Sequence, residues 1–278
     1  MGRAKEIVVK VIPAKLANEF IKKYHYSGKV VNNSSLHFGC YLDNRLHGVM
    51  SYGSPMDKSK VLPLVHTAQN VPCLWNEMLE LNRMAFDDYL PKYSESRCIA
   101  VSFRLIKKNA PHIKWVLSFS DGTQCGDGSI YRASGFFLSG IIENSNTCKL
   151  PNGEVIHKMT LESNPTAKRK ELNGISYYEL TGGRYNFKIY AKKTNSILLK
   201  GFQLRYIYLL DKTCKITVPI LPFSKIDEMG AGMYKGKNVT LESRKNKHAE
   251  IAHLGERCIS NTEGAFDATV RLNKTEVE

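Results

Sequence analysis

The stretch Leu79-Glu80-Leu81-Asn82-Arg83-Met84-Ala85-Phe86, together with residues 87–120, decides the fold. It reads as a strand and ends in the turn-forming Asp87-Asp88-Tyr89-Leu90-Pro91. A helix is signalled from Ser94: Ser94 or Ser96 can cap it, and Ile99, Phe103 and Ile106 recur on one face. It stops before Pro111, and Lys114 to Ser120 form a short apolar strand. Strand, helix, strand at this spacing is a crossover unit.

Upstream, Ile7 to Ile12 is a strand and Pro13 to Tyr24 a helix with an apolar stripe at Leu16, Phe20 and Ile21. A loop, His25 to Ser35, leads to a hairpin in which Leu36–Leu42 and Leu46–Tyr52 flank Asp43-Asn44-Arg45. Residues 54–72 read as loop. Downstream, Gly122 to Gly128 is a loop and Ser129 to Ser134 a short helix before Gly135-Phe136. The order β-α-β-β-β-α-β-α-β predicts a mixed α/β (α+β) sheet with one crossover helix, not a doubly wound sheet.

Beyond residue 143 the pattern weakens. Pro151-Asn152-Gly153-Glu154 reads as a second hairpin turn, and Thr166 to Leu172 as a short basic helix. Leu204–Leu210 and Ile216–Val218, around the turn Asp211-Lys212-Thr213, read as a late strand pair. The expected organisation is a catalytic domain over 1–228, containing an insertion or extension at 143–200. The C-terminal part is β-rich, with a tail or surface extension over 229–278.

Composition narrows the function. The formal charge is +14 and the pI about 9.4, a balance that attracts polyanions. No run of 18 apolar residues occurs, so no membrane span is expected. The N-terminus enters a strand directly and carries no signal-peptide pattern, and the seven cysteines are scattered and never C-x-x-C. Reduced thiols and a cytoplasmic location are expected.

Four clusters carry chemistry. His25-Tyr26-Ser27-Gly28 comes directly after a helix and can supply a base, a proton donor or a metal ligand; its structural alternative is a helix-terminal histidine meeting the dipole. In Glu80-Leu81-Asn82-Arg83, alternation puts Glu80 and Asn82 on one strand face and Leu81 and Arg83 on the other, more polarity than a core strand carries. Tyr93-Ser94-Glu95-Ser96-Arg97 opens a helix and suits an anion, or is an ordinary serine cap. Ser118-Phe119-Ser120-Asp121-Gly122 sets a carboxylate at a strand's C-terminal end, where open sheets hold ligands, with Tyr131 ten residues later.

In order and spacing, these segments and Gly128-Ser129-Ile130-Tyr131-Arg132-Ala133 resemble the Mom family of phage DNA-modification proteins over roughly residues 15–140. A fainter echo lies in Leu204-Arg205-Tyr206-Ile207-Tyr208. The resemblance implies a fold like the GCN5-related N-acetyltransferases and transfer of a carbamoylmethyl (acetamido) group to adenine N6 in DNA. That would protect phage DNA from restriction in the bacterial host's cytoplasm. It implies Asp121, Tyr131, His25 and Tyr26 as catalytic residues, and Arg83, Ser96 and Ser94 as holding an anionic donor or a DNA phosphate. His25 and Asp121 are also implied as ligands of an iron ion. Asp121 is the expected base or N6 orienter, Tyr131 the acid for the leaving group. The implied partner is double-stranded DNA, with the adenine expected to be flipped out. The donor is open among acetyl-CoA, an aminoacyl carrier and a glycine-derived species. Lys92 to Cys98 lacks the glycines of the acetyltransferase pyrophosphate loop and carries Glu95, so a standard acetyl-CoA site is not expected there. The competing readings are a conventional acyl-CoA-dependent N-acetyltransferase and a non-enzymatic DNA-binding protein.

Overall fold

The computed structural model describes residues 2–123, 126–234 and 237–238. Its first half contains β1 (Val8–Val11), α1 (Ala14–Tyr24), β2 (Ser34–Leu42), β3 (Arg45–Gly53), a single turn α2 (Lys58–Val61), β4 (Val65–His66), β5 (Met78–Phe86), α3 (Ser94–Asn109) and β6 (Trp115–Asp121). The second half contains α4 (Ser129–Ala133), β7 (Phe137–Lys149), β8 (Val155–His157), α5 (Lys158–Glu162), α6 (Tyr177–Thr181), α7 (Phe187–Lys193), β9 (Ile197–Leu209), β10 (Lys215–Ile216) and α8 (Ser224–Glu228). Eight strands form one sheet in the order β1-β2-β3-β5-β6-β9-β7-β8. Of its pairings, β5 with β6 is parallel and the rest are antiparallel. The mixed sheet and its crossover helix α3 are as the sequence predicts.

Helices cover both faces. Met50, Tyr52 and Leu81 pack with Ile99 and Phe103 of α3 in the main core. Their neighbours Val49 and Ala85 pack on the opposite face against Ala17, Phe20 and Ile21 of α1. Asp43 and Asn44 both take positive φ, 50° and 59°, the conformation a two-residue turn between twisted strands needs.

The structure corrects four sequence readings. Residues 54–72 hold α2 and β4, and β4 pairs with β10. The late strand pair does not form: β9 is a long strand between β6 and β7, while Lys215–Ile216 leaves the main sheet for β4. The helix expected at Thr166–Leu172 does not form: Asn173 and Gly174, just beyond it, reverse the chain at positive φ, and Lys168 bridges to Ser176, leaving a 3-10 turn at Lys170–Leu172. Neither Ser94 nor Ser96 caps α3; the N-cap is Tyr93 in the left-handed region, and both serine hydroxyls donate to carbonyls, those of Pro91 and Tyr93.

The hairpin at Gly153 joins β7 to β8 as expected. The chain from Cys148 to Leu198 then builds a core of its own, in which Leu150, Ile156, Leu161, Leu172, Tyr177, Phe187 and Tyr190 are buried. This core falls within residues 143–200. Most of the tail expected at 229–278 lies outside the described residues. The cysteines described (40, 73, 98, 148 and 214) are free and buried, and among the described residues no helix is long and apolar enough to cross a membrane.

A Cβ on Gly53 would collide with the carbonyl of Asn33, main chain that no rotamer change can move. Gly53→Ala is expected to destabilise the protein by about 2 kcal/mol, read as a lower urea midpoint at unchanged slope.

Candidate functional site

The parallel ladder between β5 and β6 is short. It pairs Met78 with Trp115, Leu79 with Val116, Glu80 with Leu117 and Leu81 with Ser118, and there it ends. β5 nonetheless runs on to Phe86 and β6 to Asp121. The strands therefore part in mid-sheet, at the carboxyl end of β6, where open sheets admit ligands.

The parting coincides with a bulge. Against β3, Ser51 faces Arg83 and Tyr52 faces Leu81, so Asn82 is an extra residue. The strict alternation expected of Glu80 to Arg83 is thus broken. Leu81 enters the main core under α3, while Arg83 joins Glu80 closely enough to act on its charge. Asn82 is buried; its Oδ1 accepts from Ser34 Oγ (2.8 Å), and its Nδ2 has no hydrogen-bond partner.

On the α1 face several segments converge. His25 ends α1. Ser27 N–H donates to its Nδ1 (3.2 Å), which leaves the neutral ring's proton on Nε2. Burial, reinforced by the Arg83 charge, pulls the pKa of His25 down to about 4. It is therefore a neutral imidazole, not a cation answering the helix dipole. Its ring lies 4.4 Å from that of Tyr26, whose hydroxyl donates to Asp121 Oδ2 (3.5 Å). Asp121 Oδ1 accepts from Thr123 N–H (2.9 Å). Arg83 Nε donates to the carbonyl of Lys29 (3.1 Å), fixing the loop after α1 to β5. Burial pushes the Glu80 carboxyl up to about 7, against the pull of Arg83.

The structure thus brings His25, Tyr26, Arg83 and Asp121 into one neighbourhood. Tyr131 is elsewhere. Trp115, Leu117 and Phe119 of β6 pack together, while Val116 belongs to the main core; alternation puts Asp121 with the first group. Tyr131 is buried in the main core, its ring 5.0 Å from Tyr206 and 5.3 Å from Phe136, and close enough to Tyr52 to act on its hydroxyl. The sheet lies between Asp121 and Tyr131. Ser94 and Ser96 open α3, on the Tyr131 side. Buried Ser94 is turned back to Pro91, and the first turn of α3 carries Glu95. The loop's missing glycines and this carboxylate do not fit an acyl-CoA pyrophosphate.

Iron fits no better. Among the described residues no three His, Cys, Asp or Glu side chains are grouped to hold a metal.

Two residues of this neighbourhood are given no role by the sequence reading. In the sequence Glu80 stands out only as a polar residue on a strand. His157, at the start of the insertion helix α5, lies near enough to Asp121 and Lys29 for both to act on its imidazole. No local pattern marks it, because it reaches the site through the β7–β8 hairpin.

The arrangement is a mixed α/β fold whose sheet opens between its two parallel strands, with proton-handling side chains on one face of the opening. Comparison with known proteins gives the family. The profile of the Mom protein family matches residues 6–225, and the chain belongs to that family. It is 32% identical over 213 residues to "Methylcarbamoylase mom" of Escherichia phage Mu, a match covering 76% of this chain and 79% of that protein. Among solved structures it is similar to an N-acetyltransferase from Staphylococcus aureus Mu50 (9% identity, TM-score 0.40, covering 74% of this chain and 99% of the other). A second is the ribosomal-protein-S18-alanine N-acetyltransferase from Escherichia coli (6% identity, TM-score 0.39, covering 74% and 94%).

Glu80 makes the protein's stability pH-dependent in a defined sense. Its folded pKa, about 7, lies above the ordinary 4.5. Between those values the unfolded chain ionises first, so stability falls as pH rises through the window. Glu80→Gln should therefore raise the Tm at pH 8 and leave it nearly unchanged at pH 4.5, measured by calorimetry at matched ionic strength.

Proposed function

We propose that this protein transfers a carbamoylmethyl group to the exocyclic N6 of adenine in DNA. The observation that carries the reading is the grouping of His25, Tyr26, Arg83 and Asp121 at the parting of β5 and β6 in a chain of the Mom family. The 32% identity to a methylcarbamoylase supports the group transferred.

Adenine N6 is a weak nucleophile because its lone pair is delocalised into the ring. The donor is a carbamoylmethyl electrophile, a CH2–CO–NH2 unit bearing a leaving group, either on an acyl or aminoacyl carrier or derived from glycine. N6 attacks the methylene carbon, the bond to the leaving group breaks, and the leaving group departs with the electron pair. N6 gives its proton to Asp121, with Tyr26 holding that carboxylate in place. The sheet divides the labour. Adenine, flipped from the duplex, meets Asp121 on the α1 face. The donor enters from the α3 face, where Tyr131 protonates the leaving group and Ser94 and Ser96 lie beside the approach. Arg83 and Lys29 hold a DNA phosphate, and neutral His25 relays a proton without adding a repelling charge. The buried Asn82 Nδ2, unpaired in the protein, donates to a substrate carbonyl at the parting of the strands. The product loses the free amino group that restriction enzymes read in the major groove. The conventional acyl-CoA reading is the weaker one, since the α3 start offers Glu95 where it needs glycine.

Plasmid DNA co-expressed with the protein should yield, on nucleoside mass spectrometry, a deoxyadenosine heavier by one carbamoylmethyl substituent. Asp121→Asn and Tyr131→Phe should each cut the adduct about 100-fold or more while the protein stays folded. Normal adduct in both variants, or none with the unaltered protein, would overturn the assignment.

A further inference from the structure

Resting on that reading, the insertion contributes to the recognition of the base. Lys29 Nζ donates to Thr160 Oγ1 (2.6 Å), tying the loop after α1 to α5. The same loop reaches β6 through Tyr26 and Asp121. His157 stands at the head of α5, three residues before Thr160, so the start of α5 lies beside the loop that reaches Asp121 through Tyr26. The charged groups acting on that imidazole are Asp121, Lys29, Glu162 and Lys158.

The ring's proton is placed by the fold. Met159 N–H donates to His157 Nδ1 (3.1 Å), as the N-cap contact of α5. Nδ1 is therefore an acceptor, and the neutral ring carries its proton on Nε2. An acceptor, Asp121, and a donor, His157, thus lie on segments joined through the loop after α1, within range for Asp121 to act on the imidazole. Adenine offers the complement on either edge: N6–H is a donor, and the ring nitrogens N1 and N7 beside it are acceptors. Guanine and thymine show an oxygen where adenine shows N6, and would face Asp121 with a second acceptor.

We infer that His157 and Asp121 form a base-reading pair, in which His157 Nε2–H donates to the ring nitrogen next to N6 while Asp121 accepts from N6. Burial holds the pKa of His157 below the ordinary value, so the donor is a neutral imidazole around neutral pH. His157 is then a specificity-determining residue supplied by the insertion, and the Lys29–Thr160 contact keeps it at the site.

The test needs no group donor. The full chain is titrated, at one fixed salt concentration, with fluorescent duplexes carrying a single adenine opposite an abasic position, which lowers the cost of extrusion. Parallel duplexes carry 1-deazaadenine or 7-deazaadenine, each lacking one ring nitrogen. The unaltered protein should bind adenine about 10-fold or more tightly than one of the two analogues. His157→Ser, which keeps a side-chain cap on α5, should lose that factor on adenine and bind that analogue equally well. His157→Asn, which keeps the cap and restores an N–H donor, should recover most of the preference. Equal binding of adenine and both analogues by the unaltered protein, or an undiminished preference in His157→Ser, would overturn the inference. If the preference behaves as expected while plasmid DNA carries no adduct, base reading stands and the transfer reaction falls.

Discussion

The arrangement of the site rests on a ladder that stops early. Two parallel strands pair for four residues, from Met78 with Trp115 to Leu81 with Ser118, and then separate. Had the pairing continued, backbone bonds would have sealed the middle of the sheet and shut one face off from the other. The extra residue Asn82 is part of the same device. It turns Leu81 into the core and leaves Arg83 beside Glu80 on the other face, and it leaves an amide donor buried at the opening without a protein partner. Buried donors without partners are costly and rare.

Electrostatics on the α1 face follow from burial. His25 and Glu80 are both partly withdrawn from water, and both are driven toward neutrality, the imidazole by losing its proton and the carboxyl by keeping it. Arg83 acts on both in the same sense, adding to the effect of burial at His25 and working against it at Glu80. It opposes protonation of His25 and favours ionisation of Glu80. Near pH 7 the neighbourhood thus holds a neutral histidine and a half-titrated carboxyl around one guanidinium, a setting in which small movements of charge have large effects.

The fold is legible where local signals and tertiary packing agree. The Asp43-Asn44 turn, the α1 and α3 stripes and the Asn152-Gly153 hairpin are written in turn chemistry and periodicity, and the nine elements built from them occur in the predicted order, with α2 and β4 added between β3 and β5. Sequence reading fails where a partner distant in the chain decides. β10 leaves its neighbour for β4, Asn82 breaks an alternation because β3 lies opposite, and Ser94 bonds backward to Pro91. The same limit governs the site. His25, Tyr26, Arg83 and Asp121 lie in segments that draw attention as sequence. His157 does not, because only the β7–β8 hairpin carries it to Asp121. Tyr131 sits close to Asp121 along the chain, and nothing local reveals the sheet that separates them.

The segment between Cys148 and Leu198 has an interior of its own, sealed by Leu161, Tyr177 and Tyr190, and it joins the main body at the last strands of the sheet. Its packing and that of the α3 core share no buried residue. Side chains on this outer piece can therefore be exchanged without disturbing the strands that part at Leu81 and Ser118. The two interiors are thus separate packing units within one chain, and a change of volume in one is not transmitted through shared side chains to the other.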